Sequence, residues 1–399
     1  MRKLEELIQE FCPDGVEYKK LGDVATIIRG GNLQKKDFTD IGIPCIHYGQ
    51  IYTRYGLFAD KTFTFISENI AAKQKYAKPN DIVMAVTSEN IEDVCKCVAW
   101  LGDKPVAVSG HTAIIHHNQN PRYMCYYFHS THFKVQKNRF VHGTKVMEVT
   151  PSKLNNIILP VPPLPVQSEI VRILDNFTEL TTELTTELTA RKKQYEYYKS
   201  QILSFGKEIK WEKLSNIAEF QNGKGHEKVI VESGKYIVIN SKFISTDGKV
   251  KKYSDTQLVP LHQNDIVMVM SDLPNGKALA KCYLVKSENL YTLNQRIGAF
   301  SVKNSDVMNT KFLFYVLNRN NQLLRYDNRT DQTNLRKNDI LDILIPVPPL
   351  EEQKRIVAIL DHFDRLCNDI SQGLPAEIEA RQKQYEYYRD KLLTFTPKA

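Results

Sequence analysis

One stretch of this chain is written twice. Ile157-Ile-Leu-Pro-Val-Pro-Pro-Leu164 recurs as Ile343-Leu-Ile-Pro-Val-Pro-Pro-Leu350. Gln167, Ile170-Val171, Ile173-Leu-Asp175 and Phe177 follow the first copy; Gln353, Ile356-Val357, Ile359-Leu-Asp361 and Phe363 follow the second. Arg191-Lys-Lys-Gln-Tyr-Glu-Tyr-Tyr198 then returns as Arg381-Gln-Lys-Gln-Tyr-Glu-Tyr-Tyr388. Weaker markers precede each copy: Tyr18-Lys-Lys-Leu-Gly-Asp-Val-Ala25 against Trp211-Glu-Lys-Leu-Ser-Asn-Ile-Ala218, and Asn80-Asp-Ile-Val-Met84 against Asn264-Asp-Ile-Val-Met268. An internal repeat decides architecture before any local reading does. Here it gives module, helix, module, helix, with matching frames and unlike interiors. A duplicated enzyme keeps one set of reactive groups twice; a duplicated reader of two targets keeps the scaffold and changes the reading surface.

Beyond each Pro-Pro pair the apolar spacing turns helical. It runs through Phe177, Leu180, Leu184, Leu188, Tyr195 and Tyr198 in the first copy, and through Phe363, Leu366, Ile370, Leu374, Tyr385 and Tyr388 in the second. Steps of three and four make a narrow stripe of the coiled-coil kind. The simplest use of two stripes is to pack on each other, antiparallel; the alternative is that each helix docks on its own module. Thr-Glu-Leu repeats at 178–180, 182–184 and 186–188. One four-residue unit changes helix length by about 6 Å, against about 3.4 Å of rise per base pair, so the segment reads as a ruler; the alternative is a merely tolerant, solvent-washed helix. Gly373-Leu-Pro375 interrupts the second helix, where an interior proline costs about 3 kcal/mol. A break is expected there, with Pro375 opening a new helical segment.

Each module mixes strands with helices. Ile43–His47, Asp81–Val86, Tyr236–Ile239 and Ile266–Met270 read as buried strands, and Arg122–Phe133 and Lys311–Arg319 as aromatic-rich helices. Polar and basic residues gather where strands should end. In the first module the candidates for contacting DNA are Arg29, Asn32, Lys35, Lys36, Arg54, Thr87, Ser88, His111 and Lys145. In the second they are Asn222, Lys224, Lys242, Ser271, Arg296, Gln332 and Asn334. Arg and Lys match guanine edges, Asn and Gln match adenine, and Ser and Thr reach bases or phosphates.

Composition narrows the class. With 399 residues, 42% hydrophobic and 25% charged, the chain is a folded protein of two or more domains. No apolar run approaches the roughly 18 residues that span a bilayer, and the charged N-terminus lacks a signal-peptide core, so a cytoplasmic, membrane-free protein is expected. The net charge of +8 suits a polyanionic partner. Seven scattered cysteines offer no disulfide framework and no spacing that closes a tetrahedral zinc site; Cys95 and Cys97 read as one face of a strand, and no metal is expected. Catalytic motifs are missing too. Lys224 and Lys277 follow glycines without completing a phosphate loop. The Pro-Pro pairs lack the flanking residues of an amino-methyltransferase motif. Pro13-Asp14 with Glu17-Tyr-Lys19 places its acids too close to act as a nuclease centre, and His116-His117 reads as structural.

Pro-Val-Pro-Pro-Leu with Gln, Ile-Val, Ile-Leu-Asp and Phe, then Arg-Lys-Lys-Gln-Tyr-Glu-Tyr-Tyr, twice over, resembles the specificity subunit of type I restriction–modification systems. Asp14-Gly-Val-Glu-Tyr-Lys-Lys-Leu-Gly22 is similar to that family's opening of a target recognition domain. The resemblance covers the whole chain and is most specific in the helical repeats. It implies an α+β chain: two tandem pseudo-symmetric α/β target recognition domains separated by two long helices forming an antiparallel coiled coil. The segments are 1–158 and 207–344 for the recognition domains, 159–206 and 345–399 for the helical spacers. Each domain is expected to read one half of a bipartite, asymmetric double-stranded DNA target. Two modification subunits around the helices would carry S-adenosylmethionine and the methylation chemistry, and restriction subunits would add ATP- and Mg2+-dependent translocation. The chain itself would be non-catalytic and hold no cofactor. The competing readings are a coiled-coil adaptor without nucleic acid, and a self-sufficient nuclease or methyltransferase.

Overall fold

The computed structural model describes residues 2–273, 278–327, 330–368 and 373–398. These divide into two compact units, Met1–Thr186 with Ala376–Ala399, and Glu187–Pro375. Ile370 and Lys277, both noted in the sequence, lie outside the described residues, as do Asn328 and Arg329.

The first unit contains two five-stranded sheets. One runs, in spatial order, Ala25–Arg29, Thr112–His117, Ile82–Ala85, Cys97–Trp100 and Phe58–Ala59; the other Phe38–Thr39, Thr64–Ile66, Ile43–Ile46, Val106–Val108 and Lys75–Ala77. Ile82–Ala85 is buried along its whole length, which is why it reads as an unbroken apolar run. The second unit holds two four-stranded sheets: Ala218–Asn222, Ile297–Val302, Ile266–Val269 and Cys282–Leu284, and Ile230–Val231, Tyr253–Ser254, Tyr236–Ile239 and Tyr291–Leu293.

The weaker repeat markers turn out to be the frame of each head. Tyr18–Lys20 pairs antiparallel with Ile158–Pro160, and Lys210–Lys213 pairs the same way with Leu344–Val347. The strand that opens each head is thus closed by the strand that leaves it. Asn80 and Asn264 both take left-handed φ (73° and 74°), a conformation Asn tolerates better than most residues. The aspartate after each accepts a backbone N–H three residues back: Asp81 from Lys78, and Asp265 from His262 at 2.8 Å. His116 is structural, as expected, with Nδ1 2.6 Å from Asp81 Oδ2.

The stronger repeats fasten each head to a helix. The long helix Leu164–Ile202 follows the first head, and the return helix Leu350–Asn368 follows the second. Each head presents a short docking helix, Pro121–Phe128 or Thr310–Leu317, capped by the side chain of Asn120 or Asn309. Gln167 accepts the Asn120 N–H at 2.9 Å and donates to the Pro162 carbonyl at 2.7 Å. Gln353 repeats this with Asn309 and Pro348, both at 2.8 Å. Asp175 receives the Tyr126 hydroxyl and Arg122, each at 2.6 Å; Asp361 receives the Tyr315 hydroxyl at 2.7 Å and Lys311 at 2.6 Å. Gln and Asp recur because the same clamp is built twice.

The clamp yields a stability prediction. Asp175→Ala takes the charged acceptor from the Tyr126 hydroxyl, already held well above the ordinary tyrosine range by burial and the adjacent carboxylate, and leaves it only Thr178 Oγ1 at 3.3 Å. Losing hydrogen bonds to a charged group costs about 2 kcal/mol. A melting-temperature drop of about 4–8 °C in calorimetry is expected for a unit of this size. Asp175→Asn should recover part of it.

Both arrangements foreseen for the apolar stripe occur within the units. The first turns of the long helix dock on its own head, with Val166, Ile170 and Leu174 buried in that core. Within the same unit Phe177 stacks on Tyr388 of the terminal helix Leu374–Leu392, centroids 5.3 Å apart and planes at 18°. In the second unit Tyr198 stacks on Phe363 at 6.0 Å and 28°, the same pair with the repeats exchanged. Tyr195 and Tyr385, equivalent positions, are buried in the two cores. Leu180, Leu184 and Leu188 are only half-buried. The break expected at Gly373-Leu-Pro375 is present: Gly373 is a bend outside any helix, and the terminal helix starts at Leu374 with Pro375 in its first turn. The single helix expected over Arg122–Phe133 is instead two. Pro121–Phe128 stops at His129, and Ser130 caps Thr131–Asn138 by accepting the Phe133 N–H at 3.2 Å.

Candidate nucleic-acid interface

The strand-end loops of the first head form one continuous rim. Arg29, at the end of its strand, donates Nε to the Gly110 carbonyl at 2.9 Å and pairs Nη2 with Glu148 at 3.1 Å. Glu148 lies in the two-residue strand Met147–Glu148, paired with Thr87–Ser88. Val86 donates to the His111 carbonyl at 2.9 Å, the His111 ring packs on Tyr48 at 4.9 Å, and Tyr48 N–H donates to Ser109 Oγ at 2.9 Å. Five segments distant in sequence are thereby held together.

His47 shows how the rim is kept in register. Its Nδ1 accepts the Gly49 N–H at 3.2 Å, capping the turn Tyr48–Thr53. Burial, with Lys35 and His111 nearby, lowers its pKa from 6.5 to about 4, so the ring is neutral at physiological pH. An unfolded chain takes up this proton near 6.5 and the folded head only near 4. The stability contribution is therefore complete above pH 6.5 and fades as pH falls toward 4. Melting temperatures followed from pH 7.5 to pH 4.5 should fall, His47 contributing the equivalent of about 2 kcal/mol beside His117, whose pKa burial also lowers to about 4; His47→Asn should remove only the first share.

The second head repeats the plan with other residues. Lys224 donates its N–H to the Leu293 carbonyl at 3.1 Å and accepts Gln295 N–H at 2.9 Å. Asn294 Oδ1 accepts the His226 N–H at 3.2 Å while its own N–H reaches Ile239 O at 3.1 Å. Met270 N–H donates to Arg296 O at 2.9 Å, and Ser271–Asp272 pairs with Thr333–Asn334. Gln332 Nε2 donates to Ser271 Oγ at 2.7 Å.

The sequence candidates therefore fall into two groups. Arg29, Asn32, Lys35, Lys36, Arg54, His111 and Lys145 stand exposed in the first head, as do Asn222, Lys224, Lys242, Arg296, Gln332 and Asn334 in the second. Arg54 lies over the Phe63 ring, 5.5 Å from its centroid. Thr87, Ser88 and Ser271 are only 5%, 9% and 6% exposed, and serve the two-stranded ladders beneath the rims. Sequence reasoning missed Lys137, buried at 4% exposure, whose Nζ donates to the carbonyls of Ile91, Glu92 and Val94. It pins the loop that follows Thr87-Ser-Glu-Asn90, and a lone lysine on a helix gives no sequence signal of that role.

Two heads of one frame, each ending in a polar and basic rim with its own residues, define the class: a duplicated recognition module with, among the described residues, no reactive centre repeated in both copies. Comparison with known proteins identifies it. The family model described as the type I restriction modification DNA specificity domain matches residues 13–192 and 208–380, and the chain belongs to that family, the non-catalytic specificity subunits. It is 39% identical to the EcoR124I/EcoR124II specificity subunit of Escherichia coli over 250 residues, spanning 58% of this chain and 60% of that one. A putative specificity subunit of Haemophilus influenzae is 29% identical over 96% of both chains. Among solved structures, a chain from a study of type I restriction–modification complex assembly matches over 96% of this chain and 98% of its own, with TM-score 0.65 and 16% identity. The Mycoplasma genitalium S subunit matches 95% and 96% of the two chains, with TM-score 0.51 and 14% identity. At such identities the structures speak for the fold. No described helix is long and apolar enough to cross a membrane.

Proposed function

We propose that each head reads one half of a bipartite, asymmetric DNA target, and that the long helix governs the gap between the halves. The observation that carries this reading is the contrast between frame and rim. Opening strand, closing strand, docking helix and Gln/Asp clamp are built identically in both units. The rims use Arg29, Asn32, Lys35, Lys36 and His111 in one head and Asn222, Lys224, Lys242, Arg296 and Asn334 in the other. Exposed Lys and Arg would engage phosphates and guanine edges, and exposed Asn and Gln adenine edges. Modification and restriction subunits are the partners; two modification subunits would seat on the helices, bringing S-adenosylmethionine, while ATP and Mg2+ serve the restriction subunits.

The test is an exchange of residues 1–158 for those of another family member, followed by methylome sequencing of cells carrying the full system. One half of the methylated sequence should change and the other persist. A change in both halves, or in neither, removes the reading. Binding of the assembled complex should also weaken with salt, log affinity falling by about 0.9 per contacted phosphate per log unit. Salt-independent binding would favour an adaptor role instead.

A further inference from the structure

We propose that Cys97, Cys125 and His129 of the first head form a binding site for one zinc ion. The three residues come from separate places. Cys97 starts the strand Cys97–Trp100, Cys125 lies on the docking helix Pro121–Phe128, and His129 caps that helix one turn after Cys125. Cys97 and Cys125 are 2% and 0% exposed. Cys97 Sγ is 3.9 Å from Cys125 Sγ and 3.9 Å from His129 Nδ1, and Cys125 Sγ is 3.9 Å from the same nitrogen. Among the described residues this is the one group of His, Cys, Asp or Glu whose donor atoms converge in this way.

The triangle has the right size. The centre of an equilateral triangle with 3.9 Å edges lies about 2.3 Å from each corner, against about 2.3 Å for zinc–sulfur and about 2.0–2.1 Å for zinc–nitrogen bonds. An ion held just off that plane needs small movements of the thiols and imidazole, and its fourth tetrahedral position would be taken by a water. Two sulfurs and one imidazole nitrogen are a soft donor set that favours zinc over magnesium or calcium.

The second head provides an internal comparison. Cys97 pairs with Met84 across the sheet, and Cys282 pairs with Met268 at the equivalent position. Tyr126 and Tyr315 both donate to the clamp aspartates, which fixes the alignment of the docking helices. On that alignment Phe314 and Asn318 replace Cys125 and His129. The strand thiol is part of the shared frame, while the other two donors belong to the first head alone. Asn318 Oδ1 accepts the Cys282 backbone N–H at 3.0 Å, so an asparagine at this position is compatible with the fold.

Cys125 S–H donates to the Leu57 carbonyl at 3.0 Å, and His129 Nδ1–H donates to the Cys125 carbonyl at 2.8 Å. Zinc binding displaces the two thiol protons to solvent, and the imidazole coordinates through an unprotonated Nδ1 with its proton on Nε2. No electrons move. The bond set would bolt the docking helix, and with it the Tyr126–Asp175 clamp, to the sheet. Because protons leave on binding, affinity should fall as pH falls.

The experiment measures metal content in the full-length chain purified reduced, or in complex with its partner subunits, and then titrates the chelated protein with zinc, with cobalt(II) and with copper(I). Cys125→Ser and His129→Asn are compared with Cys282→Ala, and melting of each variant in chelator checks that it folds. The expected result is roughly one zinc per chain, falling at least about tenfold in the first two variants and retained in the third, with cobalt(II) giving thiolate charge-transfer absorption. Zinc should also raise the melting temperature of the parent chain and leave that of His129→Asn unmoved. No stoichiometric zinc uptake, uptake of copper(I) alone, or uptake that survives both substitutions would each overturn the site.

Discussion

Removal of Thr182–Thr185 from the long helix is expected to shorten the gap between the two half-sites and leave the bases of both halves unchanged. The tetrads look removable because they are self-contained. Thr178 Oγ1 donates to Leu174 O, Thr181 to Phe177 O, Thr182 to Thr178 O, Thr185 to Thr181 O and Thr186 to Thr182 O, all at 2.8–3.0 Å. Each hydroxyl returns to its own helix, and Thr178, which lies outside the cut, also meets the Tyr126 hydroxyl at 3.3 Å. Four residues turn an α-helix by about 400°, so Leu180 and Leu188 keep nearly the same facing after the cut, while about 6 Å of length is lost. At about 3.4 Å per base pair that corresponds to a gap shorter by about one or two pairs. The parent target, now out of register for one head, should bind at least about 100-fold more weakly, since each misread pair costs about 1–3 kcal/mol. Methylome sequencing reads both quantities. An unchanged gap, or altered bases within a half, would end the ruler interpretation.

Gly30→Ala is expected to abolish recognition of the first half-site while sparing the second, and Gly223→Ala to do the reverse. A Cβ on Gly30 would collide with the Ser109 carbonyl oxygen and sit 2.6 Å from Thr112 Oγ1. A Cβ on Gly223 would strike the Asn294 carbonyl oxygen. The obstacle in each case is backbone, which cannot rotate away like a side chain. Ser109 and His111 belong to the first rim, and Asn294 to the second, so the displaced turn is part of the proposed reading surface. Overpacking costs about 1–3 kcal/mol in stability. The loss of half-site discrimination should be larger, about 100-fold, because several base contacts go together. Selection from a randomised duplex library, with melting curves to confirm folding, separates the two effects. If Gly30→Ala retained both half-sites at parent affinity, the rims would not be the readers.

The parts of this protein that its sequence made legible share one property: they are local and built twice. Gln167 and Asp175 recur at Gln353 and Asp361 because each touches a docking helix through the same geometry. Asn80 and Asn264 recur because one turn needs the left-handed conformation twice. The break before Pro375 was legible for the same kind of reason, since a missing N–H and a ring clash act within one turn. The seam was legible only in part. Its spacing located Tyr195 and Tyr385 in the cores, but not that the middle leucines stay half-buried.

What sequence alone determined, then, was the duplicated frame, the two helical repeats and the set of loops from which the rims are drawn, because hydrophobic period, turn chemistry and repetition act over a few residues. Tertiary structure decided the rest. It buried Thr87, Ser88 and Ser271 beneath rims where composition had placed them on the surface. It drew Lys137 onto three carbonyls more than forty residues away, and closed Cys97, Cys125 and His129 into one triangle. Such contacts depend on which loops the sheets bring side by side, and chain distance carries no record of that.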